Sequence, residues 1–336
     1  MKKINKFVLP FLLLPLVSFA GCKSKDNKIV VAEVTHSLFY APLYLAQNMN
    51  LFEKEGLDVK IITTPGADKV MSSLLSKEAQ IGLMGPEASV YVYQNGQKDY
   101  VVNFSQLTQK DGSFLIGRNK EEDFSYSSLK GKTIIGGRKG GMPEMVLEHV
   151  LKEKGLTLTR NNFDPTCDVN IRTDVSFDVM TGVFTSDEDS ADYVTAFEPT
   201  ASQIERLGQG YVVASLGKDS GNIPYTCFSS LKSYLNKNED KLIKFTRAIA
   251  SSLKLVNEMD DEELAKILLP SFDSTKEEIK ESISRYKSIE AYPSKLGFEE
   301  NSFNKLISII KEAGELDMDV SVPYSTLVTS KIIEAI

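Results

Sequence analysis

The sequence predicts an α/β chain folded as two lobes, each a mostly parallel sheet flanked by helices, followed by a helical C-terminal tail. Three observations predict it. Short β-branched runs alternate with helix-period runs through the first two thirds of the chain. Several of those runs end on Gly or Pro, just where a helix starts. About 310 residues also remain beyond the leader, more than one ordinary core holds.

The leader comes first. Lys2, Lys3 and Lys6 precede an apolar run, residues 7–19, that is too short to cross a bilayer as a helix. Residues 1–21 read as a signal peptide, and Phe19-Ala20-Gly21-Cys22 resembles a bacterial lipobox, with Phe19 where that pattern usually has Leu. The resemblance implies cleavage before Cys22 and lipidation of its thiol. Two or three acyl chains there would hold the protein to the membrane, with residues 22–28 as a polar tether. The 42% hydrophobic and 25% charged content is that of a globular protein. The net charge of −7, with no basic tract beyond the leader, argues against nucleic acid as a partner. Beyond Cys22 only Cys167 and Cys227 remain, too few for a disulfide scaffold. Whether they pair stays open.

Residues 29–34 form the first strand, followed by Thr35, His36 and Ser37 as possible helix caps. The next helix carries Phe39, Leu43 and Ala46 on one side. Residues 57–63 and 81–84 are strands, with a helix at 66–76 between them. The third strand ends in Gly85-Pro86-Glu87, placing Pro where a helix begins. Residues 100–107 and 113–117 complete the first β/α run, and polar residues 119–123 are read as the segment crossing to the second lobe. That lobe opens on a strand at 133–135, then Gly136-Gly137-Arg138-Lys139-Gly140-Gly141, then a helix with Pro143 in its first turn and Met142, Met145, Val146 and Val150 at helical spacing. A strand at 168–174, a short helix at 177–184 and an acidic turn at 186–190 follow. Residues 193–197 are a strand leading into Glu198-Pro199 and a helix at 200–207. Residues 211–216 are expected to return toward the first lobe, and residues 225–228 to continue that return. From residue 231 onward the pattern is helical, with amphipathic stretches at 239–259, 262–269, 276–286 and 298–313.

Much chemistry is excluded. The Gly-rich turn at 136–141 is neither G-x-G-x-x-G nor G-x-x-x-x-G-K-[ST]. His36 and His149 belong to no spaced Cys/His set, so no metal site is expected, and there is no G-x-S-x-G elbow. No cofactor is implied.

What remains is a set of strand ends. Thr35–Ser37, Gly85-Pro86-Glu87 and Gly140-Gly141-Met142 each deliver a helix N-terminus or cap, and ligands in open α/β sheets collect at the carboxyl ends of strands. Tyr40, Phe197 and Tyr225 stand near those ends, and Gln106 lies in the preceding strand. Glu87 and Glu198 each adjoin Pro at a helix start. Facing a cleft they would oppose an anion and favour a ligand bearing N–H donors or positive charge; otherwise they only complement helix dipoles. Arg138 points to an anion instead.

On Val34-Thr35-His36-Ser37, Tyr40-Ala41-Pro42, Gly66-Ala67-Asp68, Ile81 to Glu87, Leu129 to Thr133 with Gly136-Gly137, and Phe197-Glu198-Pro199, the chain resembles substrate-binding lipoproteins of ABC importers. The resemblance is to the branch that takes nitrate, alkanesulfonates, taurine and thiamine pyrimidines, and it covers the whole chain after the leader. It implies a two-lobed periplasmic-binding-protein fold of type II, with lobe I at 29–118 plus 218–336 and lobe II at 119–217. It also implies a monomer hinged to close on a small molecule, an ABC permease with its ATPase as partner, and no catalysis. The expected ligand is a nitrogen heterocycle like the thiamine pyrimidine. The alternatives are a sulfonate, taurine or nitrate, or an enzyme or surface sensor on the same fold. A pyrimidine-making enzyme of related fold carries a Cys-rich motif that is missing here.

Overall fold

The computed structural model describes residues 27–162, 164–186 and 191–336. The leader, Cys22 and most of the acidic turn lie outside the described residues.

The chain begins with β1 (Lys28–Glu33), α1 (Ala41–Asn48), β2 (Asp58–Thr63), α2 (Ala67–Leu75), β3 (Ile81–Met84), α3 (Glu87–Gln94) and β4 (Val101–Thr108). The second run is β5 (Phe114–Gly117), β6 (Lys132–Ile135), α4 (Met142–Glu153), β7 (Leu158–Arg160), β8 (Val169–Arg172), β9 (Tyr193–Ala196), α5 (Thr200–Arg206) and β10 (Tyr211–Ser215). The chain then supplies β11 (Thr226–Leu231) and the long helices α6 (Glu239–Glu258), α7 (Asp261–Leu268), α8 (Lys276–Ser288) and α9 (Glu300–Glu312).

Two sheets result, ordered β2-β1-β3-β11-β4 and β10-β5-β9-β6-β8-β7. In the first, β1 runs parallel to β2 and β3, while β11 lies antiparallel between β3 and β4. In the second, β6, β7, β8 and β9 are parallel, and β5 and β10 close one side antiparallel. β3, β4 and β5 are buried along their whole length, as strands covered on both faces must be. The tail helices form for the expected reason. Leu242, Phe245, Ile249, Leu253 and Val256 make one buried stripe along α6, and the Phe245 ring stacks on Phe52 at 5.2 Å. Thr275 and Glu278 form a capping box at the start of α8.

Two sequence expectations move. Phe114–Gly117, expected at the end of the first lobe, pairs with β9 and β10 and so belongs to the second sheet. The chain crosses at residues 109–113, ahead of the expected 119–123. β10, expected to return to the first lobe, is the edge of the second sheet, and the return comes between β10 and β11. The crossing segments are hydrogen-bonded to each other, with Leu216 N–H donating to Ser113 O at 3.1 Å and Ile223 N–H to Gln109 O at 2.8 Å. Gly217 is required there, because a Cβ would stand 2.0 Å from the Asp111 carbonyl oxygen. The three-residue edge strand β7 was not anticipated.

The tail also touches the second lobe. Helix α9 packs on both α3 and α4. His149 Nδ1 lies 2.9 Å from Glu312 Oε2, Lys152 Nζ donates to Glu312 O at 2.9 Å, and Arg160 Nη2 donates to Ala313 O at 2.8 Å. Cys167 and Cys227 are both free, the second fully buried.

Candidate functional site

A cavity of about 630 Å³ lies between the two sheets' loop ends. The first lobe contributes the β1 end (Val34, Thr35), Tyr40, the β2–α2 turn (Pro65 to Asp68), the β3–α3 turn (Gly85, Glu87), Tyr91, and Tyr225 with Thr226. The second contributes Gly137 to Pro143, Phe177, Asp178 and Phe197. Of the residues nominated from sequence, the cavity wall holds Thr35, Tyr40, Gly85, Glu87, Gly140, Gly141, Met142, Phe197 and Tyr225. His36, Ser37, Pro86, Gln106 and Glu198 are not part of it.

The aromatic wall is continuous. Phe197 meets Phe177 and Phe39 edge-on at 5.4 Å, and Tyr225 lies 6.2 Å away. Such a wall offers flat apolar area at small entropic cost.

Glu87 is the buried carboxyl of the site, 3% exposed at the first position of α3. Its carboxyl folds back over Gly85, where a Cβ would stand 2.0 Å from Oε2. Burial pushes its pKa up to about 8, against the opposing pull of the nearby backbone N–H groups of Glu87, Met142 and Ala88. Oε2 makes no hydrogen bond. A buried carboxyl oxygen without a partner is costly unless something else arrives to meet it.

Glu198 has a different fate. Oε1 takes the Arg285 guanidinium at 2.8 Å, and Oε2 accepts the Ser202 N–H at 3.0 Å. Its backbone is held as well, by Tyr286 Oη and by Ser37 Oγ, which donates to Glu198 O at 3.1 Å. Ser37 therefore ties the lobes together behind the cavity. His36 faces outward on the first lobe: Nε2 is 2.6 Å from Ser271 O, and Nδ1 lies 3.2 Å from the buried Glu33, whose hydrogen bond raises the imidazole pKa. Pro86 and Gln106 are buried, Pro86 ahead of α3 and Gln106 within β4.

The lobes also meet across the cavity mouth. Tyr91 Oη donates to Gly140 O at 2.9 Å, and Arg138 pairs with Asp68 at 3.3 Å, both side chains more than half exposed. Lys139 pairs with Glu315 at 3.3 Å. Both cations that line the cavity are thus already matched. At the crossing, Asp111 is fully buried and its pKa is pushed up to about 7 by that burial; its carboxylate in turn faces the Tyr225 hydroxyl. Among the described residues, no group of three or more His, Cys, Asp and Glu is placed to hold a metal ion.

Residues 39–263 match the model of a family described as NMT1/THI5 like. The chain belongs to that family. A Bacillus subtilis (strain 168) protein named "Putative binding protein YtlA" is 42% identical over 324 residues, covering 96% of this chain and 94% of that one. Among solved structures, the periplasmic nitrate-binding protein NrtA of Synechocystis PCC 6803 superposes with a TM-score of 0.72 at 16% identity, over 93% of this chain and 88% of its own. The alkanesulfonate-binding protein SsuA of Xanthomonas axonopodis pv. citri, bound to MOPS, gives 0.70 at 15% identity, over 90% and 98%. The fold is that of the periplasmic binding proteins.

The cavity residues missed from sequence include Met71, Tyr91, Phe177, Asp178 and Thr226. Tyr91 and Met71 lie inside helical patterns, where an aromatic or Met reads as core. Phe177 and Asp178 begin a short helical segment whose position depends on the long-range packing of the second sheet. Thr226 is the first residue of β11 and follows Tyr225, so its signal is local.

Proposed function

We propose that the protein is the extracytoplasmic solute-binding component of an ABC importer, capturing a small, flat nitrogen heterocycle of the thiamine-pyrimidine kind between its lobes. The observation that carries the ligand class is Glu87, a buried carboxyl with an unpartnered oxygen facing an aromatic-walled cavity. An amino-substituted ring supplies N–H donors to that carboxyl and a π-face to Phe197 and Tyr225. A cationic ring would favour the ionised form of Glu87 and pair with it. The anionic alternatives, sulfonate, taurine or nitrate, would need free donors, and Arg138 and Lys139 are engaged by Asp68 and Glu315. Lipidation at Cys22, a monomer at the membrane surface and delivery to a permease complete the reading. Ligand binding would shift the lobes toward the closed arrangement.

The test is a thermal-shift and native mass-spectrometry comparison of an aminopyrimidine with taurine, methanesulfonate and nitrate. The aminopyrimidine is expected to bind, and a ligand at a hundred times its Kd stabilises by about 2.7 kcal/mol. Binding of the anions alone would overturn the ligand class while leaving a solute trap. Chemical turnover of the ring would overturn the binding-protein reading.

A further inference from the structure

We propose that the end of α9 is a latch for the ligand loop of the second lobe, with Arg160 as the positioning residue that carries its grip to Gly140. The cavity wall is then held partly from outside the cavity.

The tail is fixed to the first lobe and reaches across. After α9, the Tyr324 ring packs on Phe303 at 5.7 Å, and Asn103 in β4 donates from Nδ2 to Leu327 O at 3.0 Å. Thr329 N–H returns a bond to Asn103 O at 3.0 Å. The end of α9 itself is held by the other lobe. A helix ends on carbonyls that lack intrahelical partners, and cations stabilise that end. Here the second lobe supplies them: Lys152 Nζ donates to Glu312 O at 2.9 Å, and Arg160 Nη2 to Ala313 O at 2.8 Å.

Arg160 is the pivot. It ends the edge strand β7, and its Nε lies 3.0 Å from Glu144 Oε1 and 2.5 Å from Glu148 Oε1. Those carboxyls stand about one turn apart on α4 and are buried, so losing the guanidinium beside them is costly. Glu144 has a second contact, its Oε2 accepting the Gly140 N–H at 3.1 Å. Gly140 O takes the Tyr91 hydroxyl at 2.9 Å. The tail closes on the same residue, since a Cβ at Gly140, where φ is +76°, would stand 3.1 Å from Glu315 Oε2. Tail, Arg160, Glu144 and Gly140 thus form one run of direct contacts, and Gly140 lines the cavity. Drawing α9 away loosens the loop, and tightening the loop holds α9 down.

The inference rests on the Gly137 to Pro143 loop serving the ligand cavity, as in the proposed function. Its experiment uses the empty protein, so the two can fail separately. Backbone amide hydrogen exchange would be followed by mass spectrometry in peptides covering 136–142 and 309–316, with β11 as the reference for global unfolding. Arg160→Lys keeps a cation beside both carboxyls but loses the planar fork that also reaches Ala313 O. It is expected to speed exchange in both peptides by about tenfold relative to β11, as the loss of one hydrogen bond would. Lys152→Met is the second variant. Its ammonium bonds only Glu148 and the Glu312 carbonyl, away from the loop, yet its loss should speed exchange in 136–142 as well as in 309–316. Should Arg160→Lys fail to fold, Lys152→Met decides alone. Faster exchange confined to 309–316, or none in either peptide, overturns the proposal.

Discussion

Two carboxylates with the same local sequence grammar end in opposite roles. Glu87 and Glu198 each follow a strand and adjoin a proline at a helix start, Glu87 as the first helical residue and Glu198 two residues ahead of Thr200. Each is essentially buried. Glu87 has only backbone donors around it and an idle oxygen toward the cavity, whereas Glu198 is saturated by Arg285 and Ser202. The neighbouring sequence places a carboxyl at a helix start; a residue far along the chain decides whether it is available to a ligand. For Glu198 that residue is Arg285 in α8, which also holds Glu205 at 2.5 Å.

The sharpest way to break the contrast is Arg285→Ala. It strands Glu198 without its cation, and removing one partner of a buried pair costs about 3–5 kcal/mol. Denaturant unfolding should show that loss, and Glu198→Gln, which keeps an acceptor for the Ser202 N–H, should lose less. An unchanged unfolding midpoint in Arg285→Ala would place the two carboxylates in the same class after all.

Glu87→Gln should do the reverse, sparing the fold and harming capture, with ligand affinity falling about tenfold as the carboxyl's hydrogen bond to the ligand is lost. Its pH signature separates it further. A carboxyl raised above its ordinary value holds its proton more tightly in the folded protein. Its stabilising contribution is therefore full below the ordinary carboxyl range and is lost as pH rises through about 8. Stability of the wild type should fall between pH 5 and 8, by up to about 1.4 kcal/mol per pH unit for each such group. Asp111, raised to about 7 by burial, adds to the same slope, as does Glu144, raised by burial and by Glu148 beside it. Glu87→Gln should flatten the slope by one group's share, and urea midpoints across that range would show it.

The smallest effect belongs to Arg138→Ala. The Arg138–Asp68 pair is exposed on both sides, so its loss should cost under about 1 kcal/mol of stability and appear chiefly as faster ligand release. Stopped-flow dissociation measures it.

The same contrast explains how much was legible beforehand. The β/α alternation, the tail helices and the strand ends at Gly85 and Gly140 follow from local periodicity and turn chemistry, and the structure has them. The sheet to which a strand belongs is not local. Residues 113–117 are as apolar as any first-lobe strand, and only pairing with β9 and β10 assigns them to the second sheet. His36 and Ser37 sit beside the cavity residue Thr35 in sequence, yet their partners, Ser271 and Glu198, turn them to other duties.

The aromatic wall has an optical consequence. The chain contains no tryptophan, so any tryptophan introduced is a lone emitter against a tyrosine background. Phe177→Trp would set that emitter edge-on to Phe197 on the second-lobe side of the cavity, facing Tyr40 and Tyr225 on the first. Its spectrum would report the polarity of the enclosed space as ligand displaces water, in a protein otherwise dark at that wavelength.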